Sequence, residues 1–328
     1  MAEVVCYAQP HSEDMLAGLI SELDTNRWTV TVGEPGPETS ILITGYASEE
    51  QLQSCPKVRA LIIPFAGVPP RTRELMLNHP HIAVHNLHHN APETAETALA
   101  LLLAASKSVV TMDQSLRRND WSPRYDPSQA IRLEGKTALI LGYGAVGRRI
   151  ARSCIALGMR VIVIRRHAPE PELEVRAMSD LHRSLAESDA IILALPSTPE
   201  TNGLLGEAEF AAMKPGAVLV NIARANLVDE QCLFDALKSG RLRGAGLDVW
   251  YRYPESDAAK GYMGYIDISD SARNTPPANL PFHELPNVVM SPHRGGTSAD
   301  VEAARVRALV EMLSQDEMPN RVNLAAGY

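Results

Sequence analysis

Residues 137–158 read TALILGYGAVGRRIARSCIALG: an apolar strand-like run, a glycine turn and a helical pattern in succession. The turn holds Gly142, Gly144 and Gly147 in the spacing GxGxxG. In this context the first glycine permits a tight turn, the second lets the backbone approach a pyrophosphate, and the third lets helix and strand pack closely. The helix N-terminus adds N–H groups that favour phosphate. The segment predicts a dinucleotide-binding turn; the alternative is a glycine-rich turn in an α/β domain that holds no ligand.

Strand-like and helical patterns also alternate before and after this segment. Strands that are separated by helices pair in parallel, and their sheet is covered on both faces. The sequence therefore predicts an α/β protein with two Rossmann-like or flavodoxin-like domains, each built on a parallel sheet. The predicted strands are Val4–Tyr7, Ile41–Thr44, Ala60–Pro64 and Ile82–His85 in the first part, and Thr137–Leu141, Arg160–Ile164, Ala190–Leu195, Ala217–Ile222 and Gly244–Asp248 in the second.

Three further segments bear on the domain boundaries. A long helix is predicted from a cap at Asn90 through the apolar stretch Ala95–Val110, and we place the crossing between the domains near the start of this helix, around residue 105. Residues 251–282 lack regular periodicity, which predicts a long loop of the kind that is usually functional or disordered. The last helix, Ser298–Ser314, is expected to return to the first domain.

Composition narrows the class of protein. The 328 residues carry a net charge of −8, which argues against nonspecific binding to nucleic acid or acidic lipid. The sequence holds no apolar run of about 18 residues and no secretory signal pattern, so we expect no membrane partner. Four scattered cysteines fit a reduced, cytoplasmic location. His85, His88 and His89 lack the companion ligands of a metal site, and we expect no metal.

The strand that follows the glycine turn ends in two arginines where an acid is usual. In NAD-binding domains an Asp or Glu at this place hydrogen-bonds the ribose 2′-hydroxyl. Arg165 and Arg166 stand there in this chain. Guanidinium groups bind phosphate in a bidentate way, so the pair favours the 2′-phosphate of NADP(H). The alternative is that both are solvated surface arginines.

Five motifs follow one another in order along the chain: GYGAVGRRIA (142–151), LPSTPETNGLLG (195–206), MKPGAVLVNIARANLVDE (213–230), GAGLDV (244–249) and LPNVVMSPHRGG (285–296). Together they resemble the D-isomer-specific 2-hydroxyacid dehydrogenase family. That resemblance implies two related α/β domains, with substrate and nicotinamide in the cleft between them, and a homodimer. It implies a substrate domain of residues 1–105 plus 296–328 and a dinucleotide-binding Rossmann domain of residues 106–295.

The resemblance also assigns catalytic and substrate-binding positions. Arg224 matches the family's substrate-binding arginine and His293 its acid/base histidine. A guanidinium can bind the carboxylate of a 2-oxoacid and polarise its carbonyl, and imidazole titrates in the range needed to deliver a proton. Ala66, Gly67 and Val68 match a loop whose backbone N–H groups hold the substrate carboxylate. A turn that merely ends a strand is the alternative there.

Further positions match cofactor contacts of the family. They lie at the start of the helix after the glycine turn and behind the later strands of the second domain. Asp248 is expected near the nicotinamide amide. The alternative is that its side chain only caps a loop. The matched positions are Ala145, Val146, Leu195, Pro196, Thr201, Ile222, Ala223 and Asp248.

One position departs from the family pattern. Members carry a glutamate five residues after the aspartate of GLDV, where it hydrogen-bonds the histidine and raises its pKa. Tyr253 stands at that position here, and Glu255 follows two residues later. Three alternatives remain: the Tyr253 hydroxyl orients His293, Glu255 takes that role, or the pairing is absent.

Together these features predict an enzyme that transfers a hydride between NAD(P)H and a 2-oxoacid or D-2-hydroxyacid, with a weak preference for NADP(H). A small-molecule 2-oxoacid or 2-hydroxyacid is therefore the expected substrate. One alternative is a dehydrogenase of an unusual small donor, as in the related formate and phosphite dehydrogenases. The other is a cofactor-sensing, non-catalytic protein of the same fold, as in the C-terminal-binding-protein corepressors. Intact Arg224 and His293 disfavour that last reading.

Overall fold

The computed structural model describes residues 2–127, 130–165, 173–254 and 274–326. They form two compact units. The first comprises the chain up to Asn90 together with the C-terminal residues from Ser298. The second runs from Ala91 to Tyr253 and resumes from Thr275 to Thr297.

The first unit is a parallel sheet of five strands in the order β2-β1-β3-β4-β5. Its apolar strand residues alternate between two covered faces. One face packs on α1 and the C-terminal helix α10, and the other packs on α2 and α3. The strands are β1 (Glu3–Tyr7), β2 (Trp28–Val32), β3 (Thr39–Ile43), β4 (Ala60–Ile63) and β5 (Ala83–Asn86); the helices are α1 (Glu13–Glu22), α2 (Glu49–Ser54), α3 (Pro70–Leu77) and α10 (Val301–Ser314).

The second unit is a parallel sheet of seven strands in the order β12-β11-β10-β9-β6-β7-β8. The two parallel sheets with their covering helices confirm the predicted α/β fold class. The strands are β6 (Thr137–Leu141), β7 (Arg160–Ile164), β8 (Glu174–Arg176), β9 (Ala190–Leu193), β10 (Ala217–Asn221), β11 (Leu242–Leu247) and β12 (Val288–Met290); the helices are α4 (Ala91–Lys107), α5 (Val109–Arg117), α6 (Ala145–Ala156), α7 (Leu181–Glu187), α8 (Glu207–Ala212) and α9 (Glu230–Lys238).

Helix α4 differs from the single long helix that the sequence predicts. It ends at Lys107, and Ser108 adopts a left-handed conformation with φ of 53° before α5 begins. The second unit begins with α4, because the apolar face of this helix packs on the second sheet. A Cβ atom on Gly246 of β11 would lie 2.6 Å from Leu101 Cβ, so this close packing requires the glycine.

Three strands were missing from the sequence-based prediction. β2 has a largely solvent-facing, alternating pattern, β8 reads EVR, and β12 has three residues. Short or half-exposed strands of this kind lack the continuous apolar run that marks a buried parallel strand.

The strand order places a switch point between β6 and β9. The chain moves outward from β6 to β7 and β8 on one side, and from β9 to β12 on the other. Ligands of open α/β sheets bind outside the carboxyl ends of the strands at such a point. Among the described residues no single helix is long and apolar enough to cross a membrane, and only α4 and α5 together, across a 64° bend, meet that test.

Candidate active site

The glycine turn leaves the second sheet at its switch point. Gly142 has φ of +98°, and a Cβ atom there would lie 2.5 Å from the Ala194 carbonyl oxygen. A Cβ atom on Gly147 would lie 2.1 Å from the Gly142 carbonyl oxygen, so α6 can start this close to β6 only with glycine. The space around Gly144 is open, and α6 begins directly after it with Ala145 and Val146 half-buried. Open backbone at a helix N-terminus fits a dinucleotide phosphate.

The guanidinium groups of Arg165 and Arg148 both lie close to the ring of Tyr143, a residue of this turn. Arg165 follows β7, and its guanidinium carbon lies 5.5 Å from the centre of the Tyr143 ring. Arg148 of α6 lies 5.4 Å from the same ring. Cation–π contacts of this length hold both cations beside the turn. Sequence reasoning missed Arg148 and Tyr143, although the spacing of the motif already placed both at the turn; Arg166 lies outside the described residues.

The loop after β9 is ordered by Thr201. Its hydroxyl donates to the Pro196 carbonyl at 2.8 Å and accepts from the Thr198 amide at 2.8 Å. Thr201 and Leu195 are buried, whereas Pro196 is exposed beside the glycine turn. Of the positions predicted to contact cofactor in this loop, Pro196 is therefore the accessible one, and Thr201 holds the loop in shape.

The loop after β10 presents Arg224. Asn221 at the end of the strand is buried, donates to the Arg224 carbonyl at 2.9 Å and accepts from the Ala223 amide at 3.0 Å. Ile222 and Ala223 are buried, and Arg224 is exposed, with Nη1 donating to the Ala223 carbonyl at 2.6 Å. Asn221, which the sequence analysis did not single out, thus fixes the backbone that carries the arginine.

Asp248 holds the turn that carries the histidine. The side chain is 2% exposed and lies directly after β11. One carboxylate oxygen accepts from the Ser291 hydroxyl and from the Arg294 amide at 2.8 Å, and the other accepts from the Gly295 amide at 2.8 Å. A Cβ atom on Gly295 would lie 2.6 Å from that second oxygen. These contacts belong to the 291–295 turn, so the structure favours the loop-holding reading of Asp248.

His293 stands on this turn in a left-handed conformation with φ of 58°. Burial lowers the pKa of the imidazole, the Arg224 guanidinium lowers it further, and the Asp248 carboxylate acts in the opposite direction. Arg224 is therefore close enough to His293 to act on the charge of its ring. Both leave the carboxyl edge of the same sheet, on the loops after β10 and β12.

Tyr253 lies beside the histidine. The two ring centres are 5.4 Å apart and the planes are tilted by 51°. The Tyr253 hydroxyl accepts a hydrogen bond from the Trp250 amide at 3.1 Å. The side chain is 46% exposed. It places an aromatic ring, and not a charge, beside the imidazole. Glu255, the alternative partner, lies outside the described residues.

The predicted carboxylate-binding turn belongs to the first unit. It follows β4, with Ala66 exposed and Gly67 and Val68 half-buried. The Ala66 carbonyl accepts a hydrogen bond from the side-chain amide of Asn86, the last residue of β5. The turn is thereby fixed to the neighbouring strand end.

Comparison with known proteins places this chain in a family. Residues 99–295 match the family model described as D-isomer specific 2-hydroxyacid dehydrogenase, NAD binding domain. The chain is 34% identical over 262 residues to D-3-phosphoglycerate dehydrogenase of Mycobacterium leprae, a match that covers 77% of this chain but 43% of that protein. It is 33% identical over 287 residues to glyoxylate/hydroxypyruvate reductase B of Pectobacterium carotovorum, covering 85% of this chain and 83% of that one.

A solved structure shows the same fold over the whole length. The crystal structure of a D-isomer specific 2-hydroxyacid dehydrogenase from Xanthobacter autotrophicus Py2, in complex with NADPH and MES, superposes with a TM-score of 0.79 at 20% identity. The alignment covers 100% of both chains. The chain belongs to the D-isomer-specific 2-hydroxyacid dehydrogenase family, as its motifs predicted.

Proposed function

We propose that this protein is an NAD(P)-dependent reductase of a small 2-oxoacid, or a dehydrogenase of the matching D-2-hydroxyacid. The observation that carries the proposal is the placement of Arg224 and His293 on loops at one edge of the second sheet, where the guanidinium lowers the pKa of the imidazole. The glycine turn at the switch point of the same sheet supports nicotinamide cofactor binding by the second unit.

The roles follow from the chemistry of each group. Arg224 binds the substrate carboxylate and polarises the carbonyl, because an exposed guanidinium offers parallel donors to both. His293 delivers a proton to the carbonyl oxygen in reduction and removes it in oxidation. The backbone amides of Ala66, Gly67 and Val68 in the first unit bind the substrate carboxylate. The bound nicotinamide supplies or accepts the hydride.

NADP(H) is the proposed cofactor. The support is the position of Arg165 at the end of β7 and of Arg148 on α6, both held on the Tyr143 ring. Two guanidinium groups beside the phosphate turn favour an additional phosphate on the ribose. The family model and the NADPH of the Xanthobacter structure agree with binding of a nicotinamide cofactor in general.

A homodimer is the proposed assembly, and the cytoplasm the proposed location. Exposed large apolar side chains gather on α5 and the following short 3-10 turn: Val109, Leu116, Trp121 and Tyr125. An apolar surface of this kind marks a protein–protein contact. Sedimentation velocity is expected to give a dimer, and a chain that sediments as a monomer at micromolar concentration would contradict this part of the proposal.

The activity is tested with NADPH and NADH against glyoxylate, hydroxypyruvate, pyruvate, phenylpyruvate and 2-oxoisovalerate. At least one oxoacid is expected to be reduced, and His293→Ala is expected to lower kcat by about 10²–10⁴-fold, the usual contribution of a general acid. Arg224→Ala is expected to raise KM and lower kcat, because the contact serves both binding and polarisation. Both variants should still bind NADPH, measured by its fluorescence. Tight cofactor binding without turnover of any oxoacid would favour the cofactor-sensing alternative.

A further inference from the structure

The first unit holds a cluster of buried polar side chains at the carboxyl edge of its sheet. Tyr7 ends β1, His11 follows it in the loop before α1, His89 follows β5, and Arg305 lies in α10. We refer to these four residues as the Tyr7 cluster. Tyr7 is fully buried, Arg305 is 6% exposed, and the two histidines are partly exposed, so the cluster reaches the surface through their rings.

Polar atoms of all four side chains lack a hydrogen-bond partner among the described residues. These atoms are the Tyr7 hydroxyl, both ring nitrogens of His11, both ring nitrogens of His89 and Nε of Arg305, and each is buried from solvent. A buried donor or acceptor without a partner destabilises the folded protein. Native proteins leave few such groups, and several in one place require an explanation.

The electrostatic surroundings indicate what would satisfy them. Glu302 pairs with Nη1 of Arg305, which leaves Nε of the guanidinium directed elsewhere. Burial lowers the pKa of His11, with Arg305 adding to the effect and Glu302 opposing it. Burial, Arg305, His11 and His88 lower the pKa of His89 to about 3. The imidazoles are therefore neutral at pH 7, and each can donate one ring N–H.

Each of the four side chains has an unpartnered atom that can donate a hydrogen bond, and an oxyanion offers only acceptors. Ligands of open parallel sheets bind outside the carboxyl ends of the strands, where this cluster lies. We propose that the Tyr7 cluster is a binding site for a small oxyanion group, a carboxylate or a phosphate. No step of the proposed reduction uses these residues.

An anion beside His11 and His89 offsets the charge of Arg305 and therefore raises the pKa of both imidazoles relative to the free protein.

The test follows the His11 and His89 ring signals by NMR in the whole protein while inorganic phosphate or acetate is added. The two signals are assigned with His11→Gln and His89→Gln. Saturable shifts of both signals are expected. Tyr7→Phe is expected to weaken phosphate binding about tenfold, the loss of one hydrogen bond to a charged group. Because the buried hydroxyl has no partner among the described residues, its removal should leave the melting temperature of the free protein unchanged or raise it.

Tyr251→Phe is the matched control. Its buried hydroxyl donates to the Val228 carbonyl at 2.9 Å in the second unit, so removal should lower the melting temperature and leave the phosphate affinity unchanged. Ring signals of His11 and His89 that stay fixed up to the highest phosphate concentration would overturn the proposal, as would equal affinities in the parent chain and Tyr7→Phe.

A competition experiment identifies the source of the oxyanion. Phosphate that competes with an oxoacid carrying a second acidic group, such as 2-oxoglutarate, assigns the site to the far end of the substrate. Phosphate that binds without competition assigns it to a free anion. The NMR titration does not depend on turnover, so the anion site and the proposed reductase activity can fail separately.

Discussion

Replacing Asp248 by Asn tests how the 291–295 turn is held in place. The carboxylate is 2% exposed and accepts three hydrogen bonds, from the Ser291 hydroxyl and the Arg294 and Gly295 amides. The amide of Asn retains one oxygen for Ser291 and Arg294 and turns an NH₂ group toward the Gly295 N–H. One charge-assisted bond is then lost and two donors face each other, which is expected to lower the free energy of unfolding by about 2–4 kcal/mol.

The same change acts on His293. The Asp248 carboxylate favours the imidazolium, so its removal lowers the pKa of the histidine further. In the proposed reduction His293 must be protonated, and the protonated fraction falls as the pH rises through the pKa. The falling limb of kcat/KM for reduction is therefore expected at lower pH in Asp248→Asn than in the parent enzyme.

Urea unfolding and the pH dependence of kcat/KM measure the two effects separately. Asp229→Asn is the control, because its carboxylate accepts from the Cys232 amide at 2.8 Å at the exposed start of α9. Asp and Asn cap helices about equally well, so stability should change little and the pH profile should not move. An Asp248→Asn protein that unfolds like its parent and keeps the same falling limb would refute this account of the turn.

Four further substitutions have expected outcomes. Arg165→Asp should shift the ratio of kcat/KM toward NADH, and Arg148→Ala should weaken NADPH more than NADH; equal use of both cofactors by the parent enzyme would contradict the NADP(H) proposal. Tyr253→Glu should move the falling limb of the reductive pH profile upward, since a carboxylate beside imidazolium raises its pKa, and an unmoved limb would show that residue 253 does not control the histidine. Gly295→Ala should destabilise the second unit by about 1–3 kcal/mol in thermal unfolding, because its Cβ would overlap the Asp248 carboxylate; unchanged unfolding would show that the turn can yield.

The sequence predicted the features that depend on local backbone constraints. The glycine turn could be identified because Gly142 has a positive φ and Gly147 lies very close to another backbone segment. Both conditions require glycine, and the two positions have a fixed spacing in the sequence. Apolar runs gave the central strands of both sheets for the same local reason. The break at Ser108 was not predicted because apolar residues resume directly after it, with Val109 and Val110.

Contacts between distant residues could not be predicted in this way. Asp248 meets its three partners across 43, 46 and 47 residues, and no periodicity links them. The family resemblance placed the aspartate near the cofactor but did not specify that both of its oxygens face the 291–295 turn. The Tyr7 cluster likewise joins residues from β1, the loop after β5 and α10, each of which looks ordinary in its own segment.

Tyr253 and Asp248 both lie close to His293 and should act on its pKa in different ways. The aromatic ring of Tyr253 lies beside the imidazole, and burial together with Arg224 lowers the pKa of the imidazole. The Asp248 carboxylate opposes this shift from a position fixed by the backbone of the turn. The two substitutions should therefore move the pH profile in opposite directions, Tyr253→Glu upward and Asp248→Asn downward. Only the second should weaken the fold, because Tyr253 is 46% exposed and Asp248 is buried. The double variant Tyr253→Glu/Asp248→Asn should therefore combine a near-parental pH profile with reduced stability. A double variant whose pH profile matches that of either single variant would contradict this division of roles.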